Sequence, residues 1–80
     1  MKHCYIRLDE GFPTLCNNRF MEVILCATDE GIPMCYLAGL DDFELSYTGI
    51  DAEEKFEALL DVSGDVSFKY LLQLGFTQYD

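Results

Sequence analysis

The chain has 80 residues, half of them apolar, and sets fifteen acidic side chains against five basic ones for a formal charge of −10. That length makes one domain, spanning 1–80. A charge this negative repels nucleic acid phosphates and anionic lipid, so direct binding to either is not expected.

A chain so short buries only about 60–65% of the surface its unfolded form exposes, so the core is modest. The apolar half still suffices for a packed interior and argues against disorder. The charge is unevenly spread. Residues 1–40 hold five acids and three bases, net −2, while residues 41–80 hold ten acids and two bases, net −8.

In chain order, the first residues alternate, with Cys4, Ile6 and Leu8 pointing one way and Tyr5 and Arg7 the other. That pattern predicts a half-buried strand over 2–8. Residues 19–28 predict a longer strand that is apolar on both faces at its middle and therefore interior to the sheet. Strands over 34–38 and 43–48 follow, the last with Phe43, Leu45 and Tyr47 inward and Glu44, Ser46 and Thr48 outward.

Asp9-Glu10-Gly11-Phe12-Pro13 is echoed by Asp29-Glu30-Gly31-Ile32-Pro33, and both read as hairpin tips. Asn17-Asn18 is a third turn candidate. If Glu30-Gly31 forms a two-residue turn, Cys26 lies directly across from Cys35, the only disulfide the pattern nominates. Without a secretory signal, two neighbouring reduced thiols are the expectation.

After Gly49 the period becomes helical. Asp51 with Glu54 reads as a capping box, and Phe56, Leu59 and Leu60 as the apolar side of a helix ended by Gly64. Asp65 reads as the cap of a second helix with Val66, Tyr70, Leu71 and Leu74 apolar and Gly75 as its stop. The expected architecture is α+β, an antiparallel, meander-like sheet of four to five strands followed by two C-terminal helices packed on one face. Residues 1–48 are mainly β and 51–75 mainly α.

The motifs of catalysis are missing. His3 is the single histidine and has no carboxylate near it in sequence, and nucleophile elbows, P-loops, dinucleotide fingerprints and H-E-x-x-H are absent. The cysteines Cys4, Cys16, Cys26 and Cys35 fit no zinc spacing, and the acidic pairs fit no calcium loop. No enzyme activity, metal or cofactor is expected. The longest apolar run, residues 23–27, is far short of a membrane span of about 20 residues, and no targeting segment is read at the start. The expected location is the cytoplasm.

One grouping asks for more than solubility. Between Asp41 and Asp65 stand nine acids and a single base, Lys55. Glu53, Glu57 and Asp61 recur at four-residue intervals, and like charges at that spacing repel by a few tenths of a kcal/mol, about 0.2–0.5 per pair. Carboxylates a helical turn apart lie about 6 Å from one another, comparable to phosphates along a nucleic acid strand. Such a face fits a groove lined by Arg and Lys.

In size, charge and layout the chain resembles the small acidic phage-encoded inhibitors of bacterial defence, of the anti-CRISPR and DNA-mimic kinds. The resemblance implies a protein that acts in the host cytoplasm and blocks a nucleic-acid-handling complex, such as a CRISPR-Cas or restriction system. Its partner would be a protein with a basic nucleic-acid-binding surface. The expected contacts are Asp41, Asp42, Glu44, Glu53, Glu54, Glu57 and Asp61, with Tyr47 or Tyr79 as aromatic anchors. The alternative is a small structural or regulatory interaction module, monomeric or homodimeric, whose acidity serves only solubility.

Overall fold

The computed structural model describes residues 2–11, 20–39 and 43–78. Its strands are β1 (Lys2–Arg7), β2 (Phe20–Ala27), β3 (Pro33–Ala38) and β4 (Glu44–Thr48). Two helices follow, α1 (Ala52–Leu60) and α2 (Phe68–Leu74), and a two-residue strand, β5 (Thr77–Gln78), comes last. The sheet is an antiparallel meander in the order β1-β2-β3-β4-β5. The α+β architecture is the expected one, with β2 interior to the sheet; the added feature is that the chain returns after both helices to pair Thr77 with Ser46 and Gln78 with Leu45.

Strand alternation decides where the core lies. Ile6 on β1, Met21 and Val23 on β2, Cys35 and Leu37 on β3, and Leu45 on β4 are all buried and share one sheet face. The helices close that face with Ala52, Phe56 and Leu59 from α1 and Leu71 from α2. Leu8 and Val66 complete the cluster where a short parallel bridge ties the end of β1 to the segment before α2. Leu60 departs from its expected inward position. It sits half exposed at 50%, because Ala52, Phe56 and Leu59 already fill the narrow stripe that the helix turns to the sheet.

The caps also differ from the sequence pattern. Asp51 stands at the head of α1 but makes no side-chain cap bond. Its carboxylate instead accepts a 2.6 Å hydrogen bond from the Tyr47 hydroxyl. Ser67, not Asp65, caps α2: its backbone is extended and its Oγ accepts from the Tyr70 amide at 3.0 Å. Asp65 lies with its carboxylate 3.4 Å from Arg7 Nε. α1 ends at Leu60, so Gly64 falls in the connection between the helices rather than at the helix stop. At the other end of α2, Gly75 adopts φ 104°, and the Gly75 and Phe76 amides donate to Leu72 and Leu71 carbonyls, a Schellman closure.

Gly75 is required twice over. Its φ is in the left-handed region, and a Cβ there would stand 3.0 Å from Cε2 of Tyr47. We expect Gly75→Ala to cost about 2 kcal/mol or more, the left-handed penalty plus a displaced ring, read as a lowered urea midpoint with an unchanged slope.

The Tyr47–Asp51 bond also sets a pH dependence. The hydrogen bond donated by the Tyr47 hydroxyl holds the Asp51 carboxyl below its ordinary value of 3.8. The same bond, with desolvation and the nearby Asp51 and Glu54 charges, holds the Tyr47 phenol above its ordinary 10.0. The carboxylate's contribution is therefore full above 3.8 and lost as pH falls through the lower folded value; the phenol's is full below 10.0 and lost as pH rises through the higher one. Tyr47→Phe should flatten the stability profile at both extremes. Equal acid and alkaline losses in wild type and variant, measured by urea unfolding, would show that the bond adds nothing.

Candidate functional site

The acids of α1 divide by cause. Glu53 and Glu54 occupy the first turn, where the helix dipole favours negative charge, so stability accounts for them. Glu57 lies mid-helix and Asp61 at the C-cap, where no basic residue balances the carbonyl end. An acid at that end is unfavourable by about 0.3–1 kcal/mol, so local helix energetics does not explain Asp61.

Glu53, Glu54 and Asp61 are exposed and Glu57 half-buried, turned away from the Phe56 side that meets the sheet. Lys2 on β1 reaches Glu53 at 3.9 Å, with both side chains more than 60% exposed, a pair worth about 0–1 kcal/mol. Glu57 leans toward β1, since the Cys4 thiol is raised first by its burial and second by the Glu57 charge. Lys55 lies on the other flank, its Nζ 5.1 Å from the centre of the Tyr47 ring.

Four of the expected contacts thus form one surface: Glu53, Glu54, Glu57 and Asp61. Glu44 does not join them. Its neighbour Leu45 is buried under the helices, so Glu44 points from the opposite sheet face, beside Ala38. Asp41, Asp42 and Tyr79 lie outside the described residues. Tyr47 is unsuited to anchoring a partner, because it is half-buried, bonded to Asp51 and packed on Phe76 with ring centres 6.1 Å apart.

A side chain that sequence reasoning passed over is better placed. Ile50, in the turn just before α1, is 93% exposed and stands three and four residues ahead of Glu53 and Glu54. The signal was available: Ile50 continues neither the alternation of β4 nor the Phe56–Leu59 stripe.

The nominated thiol pair is not formed. Cys35 stands opposite Leu25 and Cys26 opposite Met34, so the two cysteines point to opposite faces. The cause is the loop. Gly31 N–H donates to the Thr28 carbonyl, Ile32 N–H to Thr28 Oγ1 and Thr28 N–H to the Ile32 carbonyl, enclosing three residues where two were expected. Gly31 takes φ 83°, the left-handed third residue of such a loop, and the extra residue slips the register by one. Cys4, Cys26 and Cys35 are free thiols, while Cys16, like the Asn17-Asn18 turn, is outside the described residues.

Cys35 is fully buried, and burial, with smaller contributions from Cys4 and Cys26, pushes its thiol up to about 12. Among the described residues no cluster of three metal-ligating side chains occurs. A shallow depression of about 460 Å³, lined by Lys2, Leu25, Cys26 and Ala27, offers a single charged group. Among the described residues no helix is long and apolar enough to cross a membrane.

The sheet face away from the helices carries four rows set by the register, the outermost being Arg7 with Phe20 beyond the Tyr5 row. His3, Ile24, Tyr36 and Ser46 form the middle row, Tyr5, Glu22, Ala38 and Glu44 the row on one side, and Cys26, Met34 and Thr48 the row on the other. Charge is confined to the first two strands and Glu44, where His3 Nδ1 lies 3.1 Å from Glu22 Oε2. None of these residues belongs to the hydrophobic core cluster or packs against it.

No family model, curated protein or solved structure matches this chain. Its function has to be read from its own geometry.

A native-state labelling experiment checks the thiol placement. Iodoacetamide followed by mass spectrometry should modify Cys26 readily and Cys35 only as fast as the chain unfolds. Equal labelling of both would mean that Cys35 is not sealed beneath the helices.

Proposed function

We propose that this protein is an acidic, non-enzymatic inhibitor that binds a basic protein surface built for nucleic acid and blocks it by competition. The observation that carries the reading is the outer side of α1, where Glu57 and Asp61 extend a row begun by Glu53 and Glu54 without any helix-stability reason to be acidic. Partner Arg and Lys side chains that ordinarily meet phosphates would meet these carboxylates, whose spacing of about 6 Å along the helix suits them. Exposed rim charges of this kind mainly speed encounter and make it salt-sensitive. Ile50, at the head of the row, supplies the apolar contact that charges alone do not. In size and charge layout the chain resembles anti-CRISPR and DNA-mimic proteins, and a CRISPR-Cas or restriction complex in a bacterial cytoplasm is the target class this reading favours.

The test is capture from a bacterial lysate on the immobilised wild-type chain and on the triple variant Glu53→Lys, Glu57→Lys, Asp61→Lys. Wild type should retain a nucleic-acid-binding complex at low salt and release it as salt rises. The triple variant should bind that complex about ten-fold more weakly or worse. Its fold should survive, since Lys at position 53 weakens the helix start slightly while Lys at position 61 favours the helix end. Undiminished capture by the triple variant would remove this surface from consideration.

A further inference from the structure

The end of the sheet that carries the β2–β3 loop also carries the turn into α1. One step beyond the Met34–Thr48 pair, the Gly49 N–H donates to the Pro33 carbonyl at 2.9 Å. The next residues outward are Ile32 and Ile50, so the register brings two isoleucines to the same end of the molecule. They are 40% and 93% exposed. Single exposed apolar side chains are commonplace, but two from separate turns at one place are not scattered. Turn chemistry does not account for them either, since turns favour Gly, Pro, Asn, Asp and Ser over β-branched residues.

Both isoleucines sit on fixed backbone. The Ile32 N–H donates to Thr28 Oγ1 and its carbonyl accepts from the Thr28 N–H. Ile50 is flanked by Gly49, whose carbonyl accepts from the Ala52 N–H, and by Asp51, held by the Tyr47 hydroxyl. A contact surface already ordered loses little freedom on binding. Segments 12–19, 40–42 and 79–80 join or follow strands at the opposite end of the sheet.

Charge selects the occupant. Residues 28–33 and 48–55 hold five acids, Asp29, Glu30, Asp51, Glu53 and Glu54, and one base, Lys55. Asp29, Glu30, Glu53 and Glu54 are exposed, while Asp51 and Lys55 are both engaged with Tyr47. An apolar tip set among carboxylates is repelled by anionic lipid and by nucleic acid. A second copy of this chain would bring the same carboxylates together. A protein surface with Lys and Arg around an apolar recess matches both features.

We infer that Ile32 and Ile50 together form the apolar anchor of this protein, and that they enter an apolar recess bordered by Lys and Arg on a partner protein. Resting on the reading of the α1 acids as a contact surface, this anchor extends that surface across to the β2–β3 loop.

Two helical peptides serve as probes, one with Leu on one face and Lys on the other, the second with Ala replacing every Leu. Titrated into the isotopically labelled full chain and followed by NMR, the Leu peptide should bind about ten-fold or more tightly than the Ala peptide. The Ile32 and Ile50 methyl signals should shift with the Leu peptide, and the preference should persist as salt rises. Ile50→Ser, at a side chain 93% exposed, keeps the fold and should cut the preference to about two-fold or less. Ile32→Ser should do the same, with circular dichroism confirming its fold. Failure to bind either peptide, equal affinity for both, or an undiminished preference in Ile50→Ser overturns the anchor. Leu-dependent shifts confined to another surface overturn it equally. The reading of the α1 acids fails separately, through undiminished capture by the triple Lys variant, whatever the peptides do.

Discussion

The fold hangs on how the last inward side chain of β4 is held. Tyr47 lies where the sheet hands over to the helices, and three elements meet on it. Its hydroxyl reaches Asp51 at the head of α1, its ring edge abuts Gly75 at the end of α2, and its ring packs on Phe76 leading into β5. The meander itself is made by neighbouring strands, but a flat helical layer has to be told where to sit. Tyr47 supplies that position through one hydrogen bond and one close approach. Lys55 over the ring adds a cationic contact from the same helix.

From that arrangement comes the division of the molecule into two unlike sides. The helices seal one sheet face with Ala52, Phe56, Leu59 and Leu71, and turn carboxylates outward. The other face carries Ile24, Cys26, Met34 and Tyr36 in its middle, all of them half-buried. Among the described residues both helices lie on the same side of the sheet. The acids of α1 and the half-buried apolar side chains of β2 and β3 thus lie on opposite sides of the sheet.

Most of the architecture was legible because period-2 and period-3.6 patterns change cleanly at Gly49, and the four predicted strands match β1 to β4 within a residue or two. What escaped was decided by local hydrogen bonds that leave no periodic trace. One added loop residue between Thr28 and Ile32 moved Cys26 and Cys35 to opposite faces. Tyr47 outcompeted the α1 amides for the Asp51 carboxylate, and Ser67 two residues on took the cap expected of Asp65. The acidic surface was legible as a helical spacing, so Glu53, Glu54, Glu57 and Asp61 came together. Glu44 was grouped with them by sequence proximity, which a strand's alternation overrides.

The short parallel bridge between Leu8 and Val66 has a consequence for how the sheet can grow. Val66 donates to the Arg7 carbonyl and accepts from the Asp9 amide, and Asp65 holds Arg7 beside it. The end of β1 is therefore already hydrogen-bonded on its outer side, and Lys2 sits at the strand's other end. A charged, partly occupied edge is a poor template for a further strand, so open-ended fibre formation along the hydrogen-bonding direction is discouraged. Edge addition would propagate from copy to copy without closing. The bridge thus steers any assembly of this chain toward finite particles and away from filaments.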